Sequence, residues 1–518
     1  MFDLLVLLSR YAFIALIGLF IFFGLIFVID ERKGEGKRLP MVISAQHKII
    51  VVMHIIAYAI LSWNETDKIV DVQTIVIGVL VLVYFYVANK LIKKSYKRSC
   101  PFIWNCMYFL MDISMIMLQR LNHSLASKQL VWLTASMVIM LLIPLILKLI
   151  PKLEKFEIFY FVAAIVFILL PFVSGNELYG SLNWISIGGI GFQPSEIVKF
   201  LFLLYIACVF RKPLDMKKLG IITGFAAFIV ICLVLQKDLG GALIFFTTYM
   251  LLLYITTSNI LLLLGGVGCM GLASAVAYKL FSHVRVRVKT WLDPWSDAGN
   301  TGYQITQSLF AITTWGFLGS GLTRGMPTKI PVVERDMIFS AICEEFGCIF
   351  AMGLVCIYVL MFIRGMLIAV RSKRRFYSIL SAGIVIMFSF QTFIIIGGVI
   401  KLIPLTGVTL PFVSYGGSSI LVSSILMGLL QWSNQMSLLK DKNGDEHDNT
   451  AELDTYYVLN NGNGKISLSK KNSEKHYAKT TVAKSRPSAD RPTVKKVSAA
   501  NKTKRLMYRR DKRDKIDK

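Results

Sequence analysis

Three carboxylates, Asp336, Glu344 and Glu345, lie where a long polar segment meets an apolar run, in the sequence PVVERDMIFSAICEEFG that spans 331–347. An ionisable side chain at the edge of a membrane is costly, and such residues are commonly functional. A carboxylate that faces a wet cavity can act as a general base. Asp336 is therefore a candidate base; the alternative is that it only caps the apolar helix that follows.

The spacing within this segment separates the roles of its two glutamates. If one helix ran through from Asp336, Glu344 would lie about 80° around the axis from Asp336, and Glu345 about 180°. We therefore expect Glu344 to be the neighbour of Asp336. Glu345 is expected to brace another helix.

Basic residues that could hold an anion occur in two further segments. Arg285 and Arg287 alternate just before a Trp-Leu-Asp-Pro sequence, and guanidinium groups grip phosphate oxygens in pairs; alternatively, they extend to lipid headgroups. Lys199 follows Glu196 by three residues in FQPSEIVKF, so the two share a helical face. This pair either locks two helices together, or Lys199 meets an anionic group of a substrate.

Two polar segments could support such a site. Asp238 lies at the centre of the short link QKDLGG; by itself this is a weak signal, since an aspartate there also caps the next helix. Gln304 belongs to a small polar stripe on a helix predicted over 302–317, which we expect to lie in the membrane interface.

A segment rich in glycine, serine and proline, IPLTGVTLPFVSYGGSS, enters the last apolar run. Irregular backbone at membrane depth is tolerated only where it is buried in protein or lines a cavity. Ser414, Gly416 and Gly417 are therefore expected to support the site.

The elements that must position these residues are membrane helices. Of the 518 residues, 55% are hydrophobic and 17% are charged, and about thirteen apolar runs approach the ~20 residues that span a bilayer. The composition predicts an all-α polytopic membrane protein, with no cleavable signal peptide expected. The eight cysteines show no framework spacing, so they are interpreted as small core residues.

The net charge of +26 is concentrated after Lys440 and in short links between apolar runs. This is the positive-inside bias, so no nucleic-acid partner is expected. It places the N-terminus and the 281–335 loop outside and the tail, 437–518, in the cytoplasm. That tail is predicted to be disordered; it either lies near anionic lipid or docks a cytoplasmic partner.

Five motifs occur in order along the chain: FQPSE, the Asp-Leu-Gly link, GYQITQS, D-x-IFS-x-x-x-EE-x-G and PLTG-x-x-LPFVSYGGSS. Together they resemble the SEDS family (shape, elongation, division and sporulation), to which FtsW and RodA belong. The resemblance covers residues 101–436 and implies a ten-helix core with a large extracytoplasmic loop between core helices 7 and 8. Residues 1–100 would then add about three transmembrane helices.

The resemblance also implies an activity. SEDS members are peptidoglycan glycosyltransferases that polymerise lipid II on the outer face of the cell membrane, in elongation, division or sporulation, usually with a class B penicillin-binding protein. The essential aspartate of the family falls on Asp336, the Glu-Lys pair on Glu196 and Lys199, and the arginines near Arg285 and Arg287.

These assignments imply a mechanism with inversion at the donor sugar. Asp336 would take the proton from the acceptor hydroxyl, and the growing glycan would remain linked to undecaprenyl pyrophosphate. The pyrophosphate leaving group needs cations, for which Arg285, Arg287 and Lys199 are the candidates. A divalent cation could share this role, although no metal-ligand cluster occurs in the sequence.

Two other classes of function stay open. One is a flippase for the lipid-linked precursor, which would be expected to carry paired broken helices and charges near the bilayer midplane. The other is a non-catalytic scaffold for a class B penicillin-binding protein.

Overall fold

The computed structural model describes residues 2–33, 39–64, 69–150, 152–174, 176–178, 181–187 and 190–437. The predicted disordered tail, 437–518, lies outside the described residues except for its first. The helices are α1 Phe2–Lys33, α2 Leu39–Leu61, α3 Val72–Ser95, α4 Pro101–Leu121, α5 His123–Leu149, α6 Glu157–Ser174, α7 Pro194–Phe210, α8 Met216–Leu235, α9 Leu239–Thr257, α10 Ile260–Leu280, α11 Ser282–Leu292, α12 Tyr303–Thr314, α13 Ile338–Phe346, α14 Cys348–Arg371, α15 Arg375–Val399 and α16 Gly417–Ser437.

The helices confirm the predicted membrane fold. Ten of those in the described part of the chain are long and apolar enough to cross a bilayer: α1 to α5, α8 to α10, α14 and α15. The remaining predicted runs form α6, α7 and α16, which are shorter or less apolar.

Capping residues in the sequence explain where several helices begin. The carboxylates of Asp215 and Asp238 accept from backbone N–H groups in the first turns of α8 and α9, and Asn122 caps α5 in the same way. Each satisfies an N–H group that the helix itself leaves unpaired. Pro194 occupies the first turn of α7, where its missing N–H costs nothing.

Burial is uneven across the bundle. Every residue of α4 from Phe102 to Gln119 is buried, because α2, α5 and α14 pack around this helix. In contrast, α10 has no buried residue and packs mainly on α9 and α11. The core therefore centres on α4, while α10 lies at the edge of the bundle.

The apolar run predicted after Asp336, Met337–Ile363, is not one helix. It breaks at Gly347, whose φ of +90° favours glycine, into the short α13 and the spanning α14. The backbone of Gly347 lies against Phe317 and Leu318, where an added Cβ would be 2.4 Å from the Phe317 carbonyl oxygen. The helix also does not reach back to Asp336, since α13 begins at Ile338 with no side-chain cap. Both the continuous helix and the capping alternative for Asp336 are wrong.

Three of the segments that connect the long helices contain regular structure. Strands β3 (Asn176–Leu178), β4 (Ser181–Ile187) and β5 (Ile190–Phe192) form an antiparallel sheet between α6 and α7. A two-residue pair, β1 (Trp63–Asn64) and β2 (Ile69–Val70), links α2 to α3. The long segment before Asp336 contains α11 and α12, and α12 confirms a helix at GYQITQS that ends at Thr314.

Candidate active site

A polar cavity of about 400 Å³ lies among α7, α9, α11, α12 and the segments 332–336, 405–409 and 415–419. The structure brings seven of the predicted site residues to its lining: Glu196, Lys199, Asp238, Arg287, Gln304, Asp336 and Gly416. Residues that are far apart in the sequence therefore line one cavity.

Hydrogen bonds to the carbonyls of the two preceding residues fix the segment that carries Asp336, whereas the Asp336 carboxylate remains available. Ser414 Oγ donates to the carbonyl of Arg335 at 2.6 Å, and the Tyr415 N–H donates to the carbonyl of Glu334 at 2.8 Å. Among the described residues, no donor bonds the Asp336 carboxylate. Burial raises its pKa to about 6, against the opposing effect of Arg335 and Arg287. Such a carboxylate is charged at neutral pH and basic enough to accept a proton.

Arg287 lies between two carboxylates. Its Nη1 donates to the Leu405 carbonyl at 3.1 Å, and a Cβ added at Gly407 would lie 3.5 Å from Asp336 Oδ2 and 4.0 Å from Arg287 Nη2. Burial lowers the pKa of Arg287, while Asp238 and Asp336 act in the opposite direction. A guanidinium remains charged under any ordinary condition, so Arg287 supplies a fixed cation beside Asp336.

The Glu196–Lys199 pair forms as predicted. Lys199 Nζ lies 2.7 Å from Glu196 Oε1 and 3.2 Å from Gln391 Oε1, and Gln391 donates to the Thr409 carbonyl at 2.7 Å. The pair therefore joins α7 to α15 and to the 405–409 segment. Both alternatives are consistent with this geometry, since the pair links two helices and also lines the cavity.

Asp238 does more than cap α9. Its Oδ1 accepts from the Gly241 N–H at 2.7 Å, whereas its Oδ2 accepts from Asn183 at 2.8 Å and from Gln193 at 3.2 Å. One carboxylate thus fixes a helix start and the loop that carries β4 and β5. The capping interpretation is confirmed, and it is extended by the contact with the loop.

Five predicted residues lie outside the cavity lining. Arg285 is on the exposed side of α11. Glu344 accepts from the Met326 N–H at 2.7 Å, so the expectation that it neighbours Asp336 is wrong, because the helix it presupposed is absent. Glu345 pairs with Arg120 of α4 at 2.8 Å, which confirms its bracing role. The other two are Ser414, whose hydrogen bond is given above, and Gly417, which packs on Trp132.

Sequence reasoning missed an aromatic and cationic cluster at the site. The guanidinium of Arg335 lies 5.4 Å from the ring of Trp184 and 5.9 Å from the ring of Tyr415, and all three residues line the cavity. Cation–π contacts of this kind hold a long side chain in place. The adjacency of Arg335 to Asp336 was the available signal; the approach of Trp184 was not visible in the sequence.

An apolar groove of about 1030 Å³ adjoins the cavity. Its walls come from α8, α9, α10 and α15, and its residues are almost entirely aliphatic or aromatic. Arg287, Leu405 and Thr406 line both spaces. The apolar groove therefore meets the polar cavity at a cation.

Comparison with known proteins is consistent with this arrangement. Residues 98–437 match the family model FTSW_RODA_SPOVE, described as cell cycle protein. The chain belongs to this family. The FtsW/RodA/SpoVE match begins three residues after the end of α3, so helices α1 to α3 precede the matched region.

Two relatives of this FtsW/RodA/SpoVE member are named as established or probable peptidoglycan glycosyltransferases. "Peptidoglycan glycosyltransferase RodA" of Mycobacterium tuberculosis is 30% identical over 387 residues, 68% of this chain and 81% of that protein. "Probable peptidoglycan glycosyltransferase FtsW" of Geobacter metallireducens is 32% identical over 51% of this chain and 73% of that protein.

A solved structure shares the fold. It is described as "Structural coordination of polymerization and crosslinking by a peptidoglycan synthase complex". One of its chains superposes with a TM-score of 0.58 at 24% identity, over 66% of this chain and 99% of that chain.

Proposed function

We propose that this protein polymerises lipid II, with Asp336 as the general base. The chain is a peptidoglycan glycosyltransferase of cell-wall synthesis, as its family and named relatives indicate. The observation that carries the finer proposal is the junction at Arg287, where the apolar groove meets the polar cavity that contains Asp336. A polyprenyl-pyrophosphate sugar has the matching order of parts: an apolar chain, an anionic link and a polar sugar.

The proposed chemistry uses the charges around Asp336. Its carboxylate takes the proton from the acceptor hydroxyl, whose oxygen bonds to the anomeric carbon of the donor while the bond to pyrophosphate breaks, with inversion. Arg287 and Lys199 stabilise the departing pyrophosphate, because positive groups fixed in a water-poor site need no reorganisation during the reaction. Arg285, on the exposed side of α11 and outside the cavity lining, is not assigned to this step.

The proposal also allows a divalent cation to share the charge stabilisation with Arg287 and Lys199. Among the described residues, no group of three or more His, Cys, Asp or Glu side chains could hold a metal ion. Pyrophosphate oxygens would therefore supply most of the ligands of any bound cation.

The proposal includes a site outside the cytoplasm and a partner. The positive-inside bias supports placing the cavity on the outer face, with the N-terminus outside and the tail in the cytoplasm. A class B penicillin-binding protein is the proposed partner, supported by the shared fold with a chain of a peptidoglycan synthase complex.

The test is turnover of labelled lipid II by purified protein in detergent, where there is no second side to which lipid could be moved. Asp336→Asn is nearly isosteric and should lower the rate about 10²- to 10⁴-fold. Asp293→Asn, in the exposed turn after α11, is the matched control and should retain activity. Intact polymerisation by Asp336→Asn would defeat the assignment, and a wild-type protein without turnover would favour a flippase or a scaffold.

A further inference from the structure

The three N-terminal helices are integrated into the bundle through polar contacts between helices. His54 Nδ1 of α2 lies 2.5 Å from Asp112 Oδ1 of α4, and Gln119 of α4 donates to Thr74 of α3 at 2.8 Å. Gln46 of α2 donates to the Phe20 carbonyl of α1 at 3.2 Å. Lipid gives little hydrophobic drive for helices to associate, so polar contacts and close packing fix such helices. The position of α1 relative to α4 is therefore specified.

The first turns of α1 contact one segment of the core, the 317–326 loop. Arg10 Nη1 donates to the Gly319 carbonyl at 2.8 Å, and Asp3 forms an ion pair with Arg324. Gly321, with φ +96°, packs against Val6, where an added Cβ would be 2.7 Å from Val6 Cγ1. An ion pair, a hydrogen bond and a close backbone approach thus hold the same loop.

The 317–326 loop in turn holds α13. The Ser320 and Gly321 N–H groups donate to the carbonyls of Glu344 and Glu345 at 2.8 and 3.0 Å, and the Met326 N–H donates to the Glu344 carboxylate. In addition, Phe13 of α1 packs on Phe346 at 5.0 Å between ring centroids. The end of α13 is therefore fixed both directly and through the loop.

The other end of α13 leads to Asp336, two residues before its first residue. A nine-residue helix moves as a rigid rod on the scale of these contacts, so a shift at its C-terminal end also moves the segment at its N-terminal end. We propose that α1 to α3 form a built-in brace for the catalytic segment, with Arg10 as its positioning residue. This inference rests on the proposed function, because it takes Asp336 as the base.

The experiment compares full-length variants in the detergent turnover assay. Arg10→Met keeps the apolar stem and removes the donor. It should lower kcat about fivefold to tenfold, since small misplacements of a catalytic group are costly, with KM within about twofold and an unchanged thermal midpoint. Arg10→Lys, which retains a donor, should recover most of the rate. Tyr11→Ala, on the neighbouring side chain that is 52% exposed, is the control and should behave as wild type.

A second measurement reports on the 317–326 loop independently of enzyme activity. Amide hydrogen exchange in 317–326 should accelerate in Arg10→Met, because the bonds from Ser320 and Gly321 open more often, and should not change in Tyr11→Ala. If Arg10→Met does not accumulate in membranes, Arg10→Leu, which also lacks a donor, takes its place with the same expectations. Wild-type kcat and exchange in these variants, with Asp336→Asn inactive, would overturn the brace. An active Asp336→Asn would instead overturn the proposed function.

Discussion

At the residue scale, the proposed base is a single carboxylate whose pKa is set by its neighbours. Burial raises the pKa of Asp336 to about 6, the Arg335 and Arg287 cations lower it, and the Glu334 carboxylate raises it further. A base works only when deprotonated. The rate should therefore rise with pH through about 6 and level off above it.

The pH profile can be moved in both directions by neighbours of Asp336. Glu334→Gln removes a negative charge, so the pKa of Asp336 falls and the rising limb of kcat/KM shifts to lower pH. Arg335→Gln removes a positive charge, so the limb shifts to higher pH. Values of kcat/KM measured in detergent between about pH 4.5 and 8 give the rising limb for each variant. If the rising limb had the same midpoint pH in wild type and both variants, a group other than Asp336 would control the pH dependence of the rate.

At the element scale, the ends of helices place the chemistry. Two aspartates cap neighbouring helices in the same way: Asp215 accepts from Lys218 N–H in α8, and Asp238 from Gly241 N–H in α9. Only Asp238 lines the cavity and also accepts from Asn183 and Gln193 of the β4–β5 loop. The two positions therefore separate capping from loop attachment.

Replacement of each aspartate by alanine tests this difference. Each variant should lose about 1 kcal/mol of stability with its cap, measured as a lower thermal midpoint in detergent. Asp238→Ala should in addition lose most of its turnover, because the loop that carries Trp184 is released from α9. Asp215→Ala should keep wild-type kcat and KM. Equal activity in the two variants would show that the loop attachment has no role in the site.

At the scale of the whole molecule, orientation decides which substrates can reach the cavity. The link between α7 and α8 and the first turn of α8 are basic, with Arg211, Lys212, Lys217 and Lys218, whereas residues of α11 and α12 line the cavity. The positive-inside bias predicts that these two regions lie on opposite sides of the membrane.

Thiol labelling in cells measures this orientation. In a background without the two exposed cysteines, Cys269 and Cys356, Ser296→Cys should react with a membrane-impermeant reagent in intact cells. Lys217→Cys should react only after the membrane is permeabilised. The reverse pattern would place the cavity in the cytoplasm and exclude an outer-face polymerase.

The sequence alone determined the membrane fold, the order of its helices and five of the seven charged residues that line the cavity. Apolar run length is a local property, as are the capping of α9 by Asp238 and the i,i+3 pairing of Glu196 with Lys199. The motifs also singled out Asp336, but their spacing suggested a continuous helix. That expectation failed at both ends: α13 begins at Ile338 and so excludes Asp336, and it ends just before Gly347, whose positive-φ backbone lies against Phe317 and Leu318, which are distant in the sequence.

Only the tertiary structure decided which of these residues meet. It excluded Arg285 and Glu344 from the cavity lining and added Arg335, stacked between Trp184 and Tyr415. It also joined α1 to the loop that holds α13, through contacts such as Arg10 with Gly319. These outcomes depend on packing between elements hundreds of residues apart, and composition and periodicity describe only one element at a time.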